Sequence, residues 1–296
     1  MRRRYFTLDV FTTRRFAGNP LAVVLESGGL ETAAMQAIAR EFNLPETVFV
    51  YPSDDPKHRA RVRIFTPGRE IPFAGHPTVG TAVLLAHLDG GEAVRDVVLA
   101  EQVGPVVCAV RLGRGGGSAS FDIPKLPERL GPVPDLGKLA AASSLTPADL
   151  GSDGYVPERW TAGNAFTFVP VKDIDAVARA RPDMGRWDEA FGPNDPQGAY
   201  VFCHEVADSK HSFHARMFAP GLGVFEDPAT GSAAAAFAGP LTTGHRDGKH
   251  AFTIEQGYEM SRPSLIHLSL TIHGGALASA TVGGDAVLVS EGTIEA

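Results

Sequence analysis

The amino-acid pattern points to an α+β protein of two similar lobes, each a curled sheet around one buried helix. Three features lead there. A short motif occurs twice, about half of the 296-residue chain apart: His76-Pro77-Thr78-Val79-Gly80-Thr81-Ala82 and Asp227-Pro228-Ala229-Thr230-Gly231-Ser232-Ala233. Both copies run polar, Pro, two residues, Gly, hydroxyl, Ala, and Phe65-Thr66-Pro67-Gly68 and Phe218-Ala219-Pro220-Gly221 extend the echo upstream. Each copy opens a segment of small and apolar residues, and a helix apolar all round is buried on every side. The chain also carries 33 Gly and 22 Pro, which suits many short strands joined by turns.

The elements follow in order. Residues 5–11 alternate with period two and predict a strand. Gly18-Asn19-Pro20 predicts a turn, fixed in shape by Asn19, before the short strand 21–25. Met35, Ile38 and Phe42 share one face of a helix over 31–42, which Pro45 ends by disfavouring helix at Leu44. Glu46 precedes the strand 47–51, and 60–65 is another. Pro77 predicts the start of the first small-residue helix, to about Leu88, because a missing N–H is tolerated at a helix start. Strands follow near 97–101, 106–112 and 118–123. The Pro- and charge-rich segment 124–134 reads as the link between halves. Helical patches are expected at 136–142 and 174–180, and strands at 166–171, 199–204 and 212–218. The second small-residue helix is expected from Pro228 to about Ala238. Closing strands are expected near 252–256, 266–272, 278–282 and 286–289. The lobes are therefore 1–124 and 125–283, with the closing segment 284–296 free to return to the first lobe.

Composition limits the function. The net charge of −7 leaves no sequence-wide basic field for nucleic acid or anionic membrane. Asp9 interrupts any apolar run after Met1-Arg2-Arg3-Arg4, which argues against a secretory signal. No apolar run reaches transmembrane length. Two cysteines make no disulfide framework and fit a reducing cytoplasm.

The repeat also predicts chemistry. A helix start exposes unpaired N–H groups and the positive end of the dipole. Gly80 and Gly231 would let backbone approach a ligand, and Thr81 and Ser232 add hydroxyls. Two such starts facing one cleft would grip a small carboxylate. His76 and Asp227 are expected just ahead of their helices, projecting into that cleft. Capping would explain Asp227 alone, but does not require the same Gly and hydroxyl in both halves. Glu46, at the mouth of an apolar strand, reads either as a partly desolvated carboxyl, whose pKa rises toward that of a working acid/base, or as a solvated loop acid.

The strings Phe16-Ala17-Gly18-Asn19-Pro20-Leu21-Ala22-Val23-Val24, Asn43-Leu44-Pro45-Glu46-Thr47, Pro72-Phe73-Ala74-Gly75-His76-Pro77-Thr78 and Glu226-Asp227-Pro228-Ala229-Thr230-Gly231-Ser232-Ala233 resemble the PhzF-like family of phenazine-biosynthesis-type isomerases over essentially the whole chain. The resemblance implies a diaminopimelate-epimerase-like fold, two pseudo-symmetric lobes with mostly antiparallel sheets, and a homodimer. It assigns the acid/base role to Glu46, supporting roles to His76, Asp227 and Ser232, and carboxylate-binding amides to Gly75 and Gly231. The implied activity is isomerisation of trans-2,3-dihydro-3-hydroxyanthranilate with no cofactor and no metal. An epimerase of the same fold and a non-catalytic binder are the alternatives. Two departures bear on substrate identity: Pro45 stands where relatives often have Ser, and Ser261 where they usually have Gly. Related racemases use facing thiols at the positions of His76 and Asp227, and this chain has none there. Cys108 and Cys203 read as inert strand residues.

Weaker signals have plainer readings. Gly113 to Ser118 lacks the Gly-Lys-Ser/Thr ending of a phosphate loop and reads as a hairpin. His204, His211 and His214 lack metal-site spacing and fit alternating strand positions over 211–217. Gln256 and Arg262 fall in a Gly/Pro-rich loop, where lining the cleft and facing solvent both stay open.

Overall fold

The computed structural model describes residues 1–91, 93–152, 154–192 and 198–296. The chain divides into two units, Met1–Pro124 with Val282–Ala296, and Lys125–Thr281. The first contains β1 (Arg2–Val10), β2 (Asn19–Val24), α1 (Thr32–Phe42), β3 (Glu46–Tyr51), β4 (Ala60–Phe65), β5 (Glu70–Ile71), α2 (Gly75–Asp89), β6 (Val94–Glu101), β7 (Gly104–Gly113) and β8 (Gly116–Asp122). The second contains β9 (Glu128–Arg129), α3 (Leu136–Ala142), β10 (Glu158–Thr161), β11 (Ala165–Pro170), α4 (Ile174–Arg179), α5 (Met184–Phe191), β12 (Gly198–Cys203), β13 (Phe213–Ala219), β14 (Val224–Asp227), α6 (Gly231–Thr243), β15 (Gly248–Gln256) and β16 (Ser264–His273). β17 (Ala276–Glu295) starts in the second unit and ends in the first.

In the first unit the sheet closes on itself. β1 pairs antiparallel with β2 and with β17. β2 runs parallel to β3, β3 antiparallel to β4, and β4 parallel to β6. β6, β7 and β8 continue antiparallel, and β8 meets β17 again. Helix α2 packs against β1, β2, β3, β6, β7 and β8, so Gly75 to Ala86 are all buried. Burying Val79, Val83, Leu84 and Leu85 in this way stabilises by roughly 1.5–3 kcal/mol each. α1 covers the other side of β3 and β4, with Met35, Ile38 and Ala39 packed on Phe49 and Phe65. It ends where Asn43 turns left-handed (φ 49°) and donates its N–H to the Ala39 carbonyl, a C-cap that acts before Pro45 is reached.

The second unit repeats the order of pairings. β10 is antiparallel to β11, β11 parallel to β12, β12 antiparallel to β13, β13 parallel to β15, and β15 antiparallel to β16. Phe237 of α6 centres an aromatic cluster, stacked on Phe168 and edge-on to Phe202 and Phe213. Helices α3 to α5 form a further layer through Leu139, Val177, Trp187 and Phe191, packed on Val169 and Val201.

Several expectations change. α2 begins at Gly75, not Pro77; Pro is tolerated inside a first turn because those N–H groups have no intrahelical partner. α6 begins at Gly231, not Pro228, and runs through Pro240 to Thr243. The segment 124–134 is not only a link, since β9 within it pairs with β10. The strands expected at 278–282 and 286–289 are one strand. Gly283 there is a close approach rather than a turn, because a Cβ would lie 2.6 Å from the Ser120 Cβ. Gly80 is likewise a packing residue and not a ligand approach: a Cβ would lie 2.6 Å from Leu21 Cδ2 and 2.8 Å from Val10 Cγ2. Gly113 and Gly116 close the β7–β8 hairpin, as expected.

Candidate active site

The first unit brings Glu46 and His76 together. The parallel register of β2 and β3 sets Glu46 opposite Leu21, beside Pro20. His76, the second residue of α2, hydrogen-bonds the backbone of Pro20. Proline has no N–H, so the imidazole donates to the carbonyl. The His76 Nε2 lies 3.2 Å from Glu46 Oε2, with side chains 5% and 17% exposed. Burial pushes the imidazole down to about 3, against the opposing effect of the Pro20 carbonyl, so the ring is neutral at pH 7. Its one N–H serves Pro20, and the other nitrogen, Nε2, lies near Glu46 without making a hydrogen bond. His76 lies inside the first turn of α2, not ahead of it, because the helix starts two residues early. The turn is tied down by Thr78, whose hydroxyl lies 2.8 Å from the Ala74 carbonyl and 2.7 Å from Glu101 Oε1. Burial pushes the Glu101 carboxyl up to about 8.

The second unit builds a different helix entrance. Asp227 ends β14 and is 9% exposed. Thr230, not Asp227, is the N-cap residue of α6, and its side chain makes no capping bond. Its hydroxyl instead donates to Asp227 Oδ2 at 2.6 Å. Asp227 is therefore not the cap of α6, and its carboxylate accepts from the residue that stands at the cap position. Gln256 holds the same turn. Its Nε2 donates to the Asp227 carbonyl (2.8 Å) and to Thr230 Oγ1 (3.0 Å). Its Oε1 accepts from the Thr230 N–H (3.2 Å) and the Tyr200 hydroxyl (3.4 Å). Gly231 is buried and Ser232 half-buried in the first turn of α6.

Glu46, Gly75 and His76 thus belong to the first unit, and Asp227, Gly231 and Ser232 to the second. Gln256 is not a loop residue; it ends β15 and is fully buried. Thr230 lay in plain view within the repeat, but its partner Gln256 carried no sequence signal beyond a polar residue closing an apolar strand. Glu101, which closes β6, was missed for the same reason, and Thr78, like Thr230, stood within the repeat. His211 precedes β13 rather than alternating along it. Both His211 and His214 direct Nδ1 at Glu255, at 2.6 and 2.7 Å. Burial pushes the thiol of Cys203 up to about 12 and that of Cys108 higher still, as inert strand thiols require.

The comparisons with known proteins agree on one family. The family model described as phenazine biosynthesis-like protein matches residues 8–292. An isomerase of Mesorhizobium japonicum, named without a substrate, is 50% identical over 99% of this chain and 98% of its own. The trans-2,3-dihydro-3-hydroxyanthranilate isomerase of Pseudomonas fluorescens is 36% identical, over 98% of each chain. A PhzF-family phenazine biosynthesis protein of Bacillus anthracis superposes with a TM-score of 0.90 at 26% identity, covering 100% of both chains.

Proposed function

Because the chain belongs to the phenazine biosynthesis-like (PhzF) family, whose members are named isomerases, we propose a specific chemistry. The protein isomerises a small carboxylate without a cofactor, by proton transfer through Glu46. The observation that carries this reading is the contact of Glu46 Oε2 with His76 Nε2 at 3.2 Å. A neutral imidazole whose N–H is given to Pro20 offers a lone pair to a proton on Glu46. A proton taken from a substrate carbon is then held on Glu46 against His76 until it is returned to another carbon. Asp227 serves as the second polar group acting on the substrate. The amides of Gly75 and Gly231, at the starts of α2 and α6, bind the carboxylate with the Ser232 hydroxyl.

The repeated order of strand pairings supports reading the two units as pseudo-symmetric lobes of a diaminopimelate-epimerase-like fold. The same reading takes the protein as a cytoplasmic homodimer. The relative of P. fluorescens makes trans-2,3-dihydro-3-hydroxyanthranilate the first compound to test.

The test is solvent exchange in D2O with that compound and a panel of small carboxylates. The wild type is expected to place deuterium at a carbon different from the one deprotonated. Glu46→Gln is expected to lower exchange by about 10²–10⁴-fold, the usual worth of a positioned acid/base, with binding unchanged. Exchange retained in E46Q ends the assignment of the base. Deuterium at the same carbon with inverted configuration makes the protein an epimerase, and binding without any exchange makes it a non-catalytic relative.

A further inference from the structure

Gln256 is fully buried and uses its whole amide. A glutamine amide offers two N–H donors and an acceptor oxygen with two lone pairs. Here Nε2 gives one hydrogen to the Asp227 carbonyl and one to Thr230 Oγ1. Oε1 takes the Thr230 N–H and the Tyr200 hydroxyl. The reverse orientation would set the NH2 against an N–H and the oxygen against a carbonyl, so the neighbours allow one orientation only. That orientation has a consequence for Thr230. Its oxygen already accepts from Gln256, and its single hydrogen then goes to Asp227 Oδ2, 2.6 Å away. The result is a chain of fixed direction: Gln256 N–H to Thr230 O–H to Asp227 carboxylate.

The surroundings reinforce it. Tyr200, on β12, is a titratable group that the Asp227 charge reaches; burial and that charge both push its phenol up, so it stays a donor to Gln256. The neighbouring charges turn elsewhere: Glu226, on β14, pairs with Arg216, on β13 (2.8 Å), and Glu255 is bound by His211 and His214. Glu255 and Gln256 are adjacent on a strand and therefore face opposite sides. One clamps the segment before β13, and the other clamps the entrance to α6.

We propose that Thr230 and Gln256 are positioning residues that hold Asp227 toward substrate as an oriented carboxylate whose Oδ2 is permanently supplied with a donor. The part concerning substrate rests on the reading of Asp227 given above; the part concerning the carboxylate does not. A hydrogen bond to the charged form of an acid favours that form.

The experiment follows the Asp227 carboxyl carbon by ¹³C NMR titration, and in parallel the pH profile of deuterium exchange into trans-2,3-dihydro-3-hydroxyanthranilate. The variants are Thr230→Val, Thr230→Ser and Gln256→Glu. T230V is expected to raise the Asp227 titration midpoint by about one pH unit or more and to lower kcat about tenfold or more, with little change in KM. T230S keeps the donor and should restore both. Q256E removes the donor to Thr230 and should move the midpoint the same way, and it carries the measurement if T230V does not fold. An Asp227 midpoint unmoved in T230V and Q256E overturns the proposal, as does T230S behaving like T230V. Full exchange activity in Asp227→Asn would instead remove Asp227 from the reaction, while the NMR arm still decides whether the chain holds it.

Discussion

Glu101 offers a direct handle on the helix start that carries His76. It is 8% exposed, and its Oε1 lies 2.7 Å from Thr78 Oγ1, which itself lies 2.8 Å from the Ala74 carbonyl. A hydroxyl has one hydrogen, and a carbonyl only accepts. The Thr78 hydroxyl is within donating distance of both the Ala74 carbonyl and Glu101 Oε1, and its single hydrogen serves one of them at a time. Burial raises the carboxyl from 4.5 to about 8, against the Thr78 hydrogen bond, which lowers it. The folded state then binds this proton more tightly than the unfolded chain does. The contribution to stability is full below pH 4.5 and falls as pH rises, until it is gone above about 8. At about 1.36 kcal/mol per pH unit, the whole span is at most about 5 kcal/mol. Glu101→Gln keeps a donor in place and removes the titration. Urea unfolding followed by far-UV circular dichroism, at pH 5 and pH 8 for both proteins, measures the difference. The wild type should lose several kcal/mol relative to E101Q between those two pH values. A difference that stays constant across that range would refute the raised carboxyl.

Two further outcomes concern the second unit. Burial lowers the basicity of His214, but its bonds to Glu255 and Glu259 outweigh this and bring it up to about 9; burial opposes ionisation of Glu255, but His214, His211 and two backbone N–H groups bring it down to about 2. The His214 contribution is present below pH 6.5 and lost as pH rises through about 9, and that of Glu255 is present above 4.5 and lost as pH falls through about 2. Glu255→Gln should therefore destabilise by about 3–5 kcal/mol near neutrality and flatten the wild-type decline between pH 7 and 9 in thermal unfolding. Ser261 holds φ 58°, the left-handed region that favours glycine, so Ser261→Gly should stabilise by about 1 kcal/mol. An unchanged or lower melting temperature would contradict the strain at that residue.

The same Ser261 illustrates how sequence and structure divide the account. Its departure from the family pattern was visible as a letter; the backbone angle that makes glycine favourable there was not. α1, α3 and the two small-residue helices were legible because helical periodicity and apolar composition are local properties. α5 was not: among its eight residues only Trp187 and Phe191 are buried, too few to mark a face. β14 was missed because its four residues, Val224 to Asp227, are too few to show a pattern. Gly80 was misread because a glycine that admits a neighbouring side chain looks, in sequence, like one that admits a ligand.

Chain order alone was enough for the duplicated motif and the family, and for singling out Glu46, His76 and Asp227 for test, since side-chain type and short-range spacing suffice for these. The partners came from folding. Pro20 meets His76, Glu101 meets Thr78, and Gln256 meets Thr230 because strand pairing brings together residues far apart in the chain. A hydrogen bond also depends on distance and direction, and neither is written in a string of residue names.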